Sequence, residues 1–131
     1  MGRFDTDGTE ADWFDMGSGR VDLTKAADAG LVLDETEADY RAADPTLGGD
    51  VKELNTASMA SSQCLQECSW TRTVTATETG AGTWTAAGSG VTDGISVDVE
   101  PATFTLAEGE TQEITITADV TGASTEDYQF G

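Results

Sequence analysis

Histidine is absent from the 131 residues, cysteine and proline occur twice each, and bases are scarce, six against 25 acids. The first absence removes the usual general base for a serine or cysteine nucleophile. Two cysteines without histidine fall short of the four nitrogen or sulfur ligands that structural zinc takes. The shortage of positive charge leaves a formal net charge of -19. Phosphate is repelled by such a surface at long range, which excludes nucleic acid and anionic membranes as partners. No apolar run approaches the length of a membrane span, and Met1-Gly2-Arg3-Phe4-Asp5 has none of the character of a signal peptide.

The few bases are also placed unevenly. Arg3, Arg20, Lys25, Arg41, Lys52 and Arg72 are the whole set, and everything after Arg72 is acidic or neutral. A solvated, self-repelling surface of this kind suits a secreted, salt-adapted protein, and calcium is the one cofactor it leaves open. Asp5-Thr6-Asp7-Gly8-Thr9-Glu10 resembles the start of a calcium loop. An EF-hand, however, needs glycine where Glu10 stands and a bidentate glutamate where Met16 stands. Cys64 and Cys68 are separated by three residues, which allows a small disulfide loop and favours an oxidising, extracellular compartment. The export signal of a secreted protein would then lie upstream of Met1.

At this length one domain with an appendage is expected, large enough to bury a core without metal support. Residues 1–12 are polar and aperiodic and read as a loop or a disordered lead-in. In the stretch 13–34, Gly17 and Gly19 can take positive φ, Asp22 can cap a short helix over residues 23–29, and Gly30 can end it. Leu31, Val32 and Leu33 read as a buried extended run. The Gly-x-Gly pair lacks the third glycine and the preceding strand of a dinucleotide loop, so a tight packing turn is the better reading. A second short helix is expected within residues 34–43, where acids fill the first turn. Pro45, Gly48 and Gly49 mark a connector at 44–50, where the main boundary is placed.

Beyond Val51 the pattern becomes short β-rich runs. Residues 69–77 are a Thr/Val/Trp run, and residues 82–87 hold Trp84. Ile95, Val97 and Val99 alternate with Ser96, Asp98 and Glu100, and Ile114, Ile116, Ala118 and Val120 alternate with Glu113, Thr115, Thr117 and Asp119. That is the period of strands with one buried face. With turns at 92–94 and 108–110, the chain reads as mainly β, an antiparallel β-sandwich preceded by one or two short helices. Arg72 shares parity with Trp70 and Val74, so alternation points its guanidinium inward; either the strand end is exposed or Arg72 pairs with a buried acid. Tyr128-Gln129-Phe130-Gly131 reads as the start of a last strand that is cut short.

Thr56-Ala57-Ser58-Met59-Ala60 looks like the Gly-Thr-Ser-Met-Ala nucleophile segment of subtilisin-like proteases. Asn55 replaces its glycine, an alanine precedes the serine, and neither Lys25 nor Lys52 stands at a recognised spacing to act as base, so Ser58 is not read as a nucleophile. The same family enters through other residues. Phe14-Asp15-Met16-Gly17-Ser18-Gly19-Arg20-Val21-Asp22 resembles the subtilase segment that follows the catalytic serine helix, especially in the cucumisin-like branch. Lys25-Ala26 and Ala29-Gly30-Leu31-Val32-Leu33-Asp34 resemble its Lys-Ala and Pro-Gly-Leu-Val-Tyr-Asp, and Asp39-Tyr40 falls on its Asp-Tyr. Leu54-Asn55-Thr56-Ala57-Ser58-Met59-Ala60 is similar to Leu-Asn-Tyr-Pro-Ser-Ile-Ala. Thr71-Arg72-Thr73-Val74-Thr75 is similar to the opening of a core strand in the family's fibronectin type III-like domain. Leu23, Ala29 and Ala57 stand where the family has proline, and the Cys64–Cys68 pair is additional.

The resemblance implies residues 1–50 as an acidic lead-in and catalytic-domain tail of short helices, partly disordered when its catalytic body is missing, and residues 51–131 as a fibronectin type III-like sandwich. The triad would lie upstream, so this chain carries no catalytic residue and is not itself an enzyme. The implied function is an accessory module of a secreted serine protease, whose partner is the catalytic domain of the same polypeptide. An independent sandwich binding carbohydrate or a cell surface through Trp13, Trp70 and Trp84 is the alternative, and a calcium-stiffened spacer is a third.

Overall fold

A computed structural model describes all residues except 1–7, 12, 18, 20, 126 and 127. Three short α-helices come first: α1 (Trp13–Met16), α2 (Leu23–Ala26) and α3 (Glu37–Ala42). A two-residue strand, β1 (Leu31–Val32), lies between α2 and α3. The strands β2 (Glu67–Ala76), β3 (Gly82–Thr85), β4 (Ser96–Glu100), β5 (Thr103–Leu106) and β6 (Thr111–Asp119) follow. They form an antiparallel four-stranded sheet of order β1-β2-β6-β4 and an antiparallel pair β3-β5.

The expected alternation sets the register. Trp70 stands opposite Ile116 and Arg72 opposite Ile114, while Ser69 meets Thr117 and Thr71 meets Thr115 on the other face. Hydroxyl-bearing, β-branched residues suit a pleated surface that faces water on one side. On the inner face Val74 and Ala76 of one sheet pack with Phe104 and Leu106 of the other, joined by Leu31, Trp84, Ala86 and Ile114. The core is thin: among the described residues no large side chain is fully buried. Each well-buried Leu or Phe contributes about 1.5–3 kcal/mol, so polar contacts that organise the inner face carry unusual weight.

The front of the chain departs from expectation in instructive ways. Gly17 and Gly19 take positive φ, 49° and 96°. Asp22 caps α2 through the Thr24 amide, but the helix stops at Ala26 rather than continuing to Ala29. Residues 29 and 30 are needed elsewhere: the Ala29 carbonyl accepts from Thr77 Oγ1 (2.7 Å), and the Gly30 carbonyl accepts from the Thr77 amide (3.0 Å). Nor is the run 31–33 uniformly buried, since Leu31 enters the core while Val32 and Leu33 are exposed. The four-stranded sheet therefore draws strands from both sides of residue 50. In α3 the cap is Thr36, whose hydroxyl accepts from the Asp39 amide while Asp39 accepts from the Thr36 amide. Residues 128–131 form no strand; the Phe130 carbonyl instead accepts from the amides of Val91 and Thr92.

Candidate functional site: the seam along strand β2

One edge of β2 collects most of the residues that sequence reasoning singled out. Arg72 is only 5% exposed. It does not face solvent, and among the described residues it forms no ion pair with a buried acid. Its Nε donates to the Thr56 carbonyl (2.7 Å), Nη1 to those of Lys52 (3.1 Å) and Thr71 (2.7 Å), and Nη2 to that of Ser58 (3.3 Å). Carbonyl dipoles thus stand where a carboxylate was expected, and a planar fork of five donors suits several of them at once. Burial pulls the Arg72 pKa down, and the charges of Glu53 and Glu35 pull it back up.

Beside it, Asn55 imitates a strand. Its Oδ1 accepts from the Thr73 amide and its Nδ2 donates to the Thr73 carbonyl, both at 2.7 Å. The β1–β2 register, Leu31 opposite Ala76 and Val32 opposite Thr75, would place Asp34 opposite Thr73. Asn55 fills that place instead, and its Nδ2 also reaches the Asp34 carbonyl at 3.3 Å. The Asn55 amide donates to Glu35 Oε1, closing the link to the front segment. At the other end, a Cβ on Gly80 would lie 1.6 Å from the Gly30 carbonyl oxygen, and a Cβ on Gly30 would lie 2.8 Å from the Trp84 ring. Only glycine permits that approach. Trp84 Nε1 donates to the Gly80 carbonyl (2.7 Å), fixing the ring against Gly30.

The other singled-out residues are accounted for around this seam. Cys64 and Cys68 are joined by a disulfide with a Cα–Cα distance of 5.4 Å. Between them Gln66 takes φ 69°, its carbonyl accepts from the Val120 amide (2.7 Å), and Leu65 is left 85% exposed. Ser58 contributes its carbonyl to the Arg72 cluster, and that carbonyl also accepts from Thr56 Oγ1 (3.2 Å). Lys52 Nζ stands 5.7 Å from the centre of the Trp70 ring, while Trp70 Nε1 donates to the Ala60 carbonyl (3.3 Å). Trp84 is part of the core packing. These two rings serve the loop and the core respectively, and the Trp13 side chain lies outside the described residues. Of the calcium-like run at 5–10, residues 5–7 lie outside the described residues. Among the described residues no cluster of three or more acids or cysteines is arranged to hold a metal.

A family model for the fibronectin type-III domain matches residues 53–131. The chain belongs to the fibronectin type III domain family. No curated protein matches it. The match begins within the loop held by Arg72 and covers β2 to β6, whereas β1 and Glu35 lie before it. This fibronectin type III sandwich thus carries an edge strand from outside the segment that defines its family. Sequence reasoning missed Gly80 and Thr77, which meet the Gly30 and Ala29 carbonyls from 47 to 50 residues away, and Glu35, which accepts from the Asn55 main-chain amide 20 residues on, because contacts with main-chain atoms leave no local pattern.

Proposed function

We propose that the chain is a non-catalytic accessory module of a secreted subtilisin-like serine protease, and that its sandwich stabilises or positions the catalytic domain of the same polypeptide. One observation carries this reading. Two stretches that resemble the subtilase family, residues 54–60 and 71–75, are bonding partners: Asn55 binds the main chain of Thr73, and Arg72 binds the carbonyls of Thr56 and Ser58. A third, residues 29–34, supplies β1 on the same edge. Motifs that meet in space share a physical reason for occurring together in one sequence. The disulfide accords with an extracellular location, and the lack of histidine accords with chemistry supplied by another part of the polypeptide.

The purified chain is expected to leave casein uncut, and the DNA upstream of Met1 to encode a Gly-Thr-Ser-Met-Ala helix. Fused to that upstream region, Arg72→Ala is expected to shorten the half-life of proteolysis on heating while leaving kcat at low temperature unchanged. Casein cleavage by the chain alone that Ser58→Ala abolishes would contradict the proposal, as would an upstream region of unrelated sequence.

A further inference from the structure

We infer that the sandwich carries a strand-acceptor groove that binds residues 29–35 as a distinct extended ligand. One wall is the edge of β2 at residues 73–76 together with Thr77 just after it, the floor is Gly80 and Trp84, and Asn55 closes the far end. Each position of the occupant meets a different chemical demand. Residue 30 must be glycine, because Trp84 and Gly80 leave no room for a Cβ. Residue 31 must be apolar, because Leu31 packs on Val74, Ala76, Phe104 and Leu106. Residue 35 must accept a hydrogen bond from the Asn55 amide, as the Glu35 carboxylate does. The main chain is read at both ends of this window: the Thr77 amide and hydroxyl bond the carbonyls of Gly30 and Ala29, and Asn55 Nδ2 bonds that of Asp34. Main-chain bonds along a sheet edge with alternate side-chain pockets are the recognition mode of β-strand addition.

The groove therefore selects an extended peptide of pattern Gly-apolar-x-x-x-acid, supplied here by the chain itself. Residues 36–54 between ligand and groove form a run of short helices, in which Tyr40, Leu47 and Val51 are exposed and Lys52 is tied to Arg72. The inference holds whatever protein the module belongs to.

The test is a full-length chain carrying a protease site inserted after Leu47 and then cut. The two fragments are expected to co-elute at the size of one intact chain. Leu31→Asp is expected to weaken their association by tenfold or more, while Leu47→Ala changes nothing. A synthetic peptide of residues 27–38 is expected to return the released C-terminal fragment to its original tryptophan emission. Separation of the fragments with the C-terminal part keeping its thermal transition would overturn the proposal. Should the insertion prevent folding, the uncut chain answers the same question in a Trp13→Phe, Trp70→Phe background. There Gly30→Val is expected to red-shift Trp84 emission and Gly48→Ala is not, and an unmoved spectrum in Gly30→Val would equally overturn it.

Discussion

Arg72 is the residue on which the inner face turns, because a guanidinium buried without partners would cost far more than the thin core returns. Truncation at this position leaves four carbonyls with fewer donors. Arg72→Ala is expected to lower unfolding free energy by about 3 kcal/mol, measured by urea denaturation, with Arg72→Lys recovering only a part because an ammonium cannot fork across them. Asn55→Asp is expected to destabilise as well, since it loses the donor to Thr73 and sets a second carboxylate beside Glu35. Parity along the strand marked Arg72 as inward-pointing, yet its partners were not legible: main-chain carbonyls belong to every residue and leave no trace in composition. The exposed Arg41–Glu37 pair, 2.7 Å apart, is worth little by comparison.

A second residue-scale device recurs. Asp22, Asp44 and Asp119 each accept from both the amide and the hydroxyl of the threonine two residues on, and Asp39 does the same with Thr36. These hydrogen bonds hold all four carboxyls below the ordinary aspartate value of 3.8. A depressed folded-state pKa gives stability that is complete above the unfolded value and fades as pH falls through the folded one. The loss therefore belongs below about pH 3.8. Between neutrality and that point, protonating other surface acids relieves repulsion. At low salt the melting temperature is thus expected to rise on acidification to about pH 4.5 and fall below about pH 3.8, followed by circular dichroism. A steady fall from pH 7 downward would contradict this.

Among the elements, the strands of the two sheets were the most legible. The alternation of Ile114, Ile116 and Ala118 with Glu113, Thr115 and Thr117 reappears as the buried and outer faces of β6, whose Ile116 stands between Trp70 of β2 and Val99 of β4. β1 was not legible as part of this sheet, because three consecutive apolar residues have no period and its partner lies more than 40 residues away. Nor did helical pattern predict that α2 ends at Ala26, because the requirement comes from Thr77 and Gly80. Gly80→Ala is expected to cost about 1–3 kcal/mol by forcing the Gly30 carbonyl away. The disulfide closes a loop of only five residues, so Cys64→Ser with Cys68→Ser is expected to cost about 2 kcal/mol by loop entropy, read from the same urea transitions. On the outer face of β2, the exposed Ser69 and Thr71 are expected to tolerate substitution better than the half-buried Thr73 and Thr75.

At the scale of the whole molecule, 25 acids against six bases make self-repulsion the main opponent of a modest core. Raising salt from 0.1 to 1 M shortens the screening length from about 10 Å to about 3 Å, and a rise in melting temperature is expected across that range. What the molecule preserves against this repulsion is the joining of β1 and the loop 52–58 to the edge of β2 in the four-stranded sheet, through Arg72, Asn55 and Thr77. Amide hydrogen exchange of the intact chain tests it most directly. The Thr73 and Thr77 amides, which donate to Asn55 and Gly30, are expected to exchange as slowly as the Trp70 and Ile116 amides, which face each other inside the sheet. Exchange of Thr73 and Thr77 at the rate of exposed loop amides, with the sheet still protected, would contradict the account.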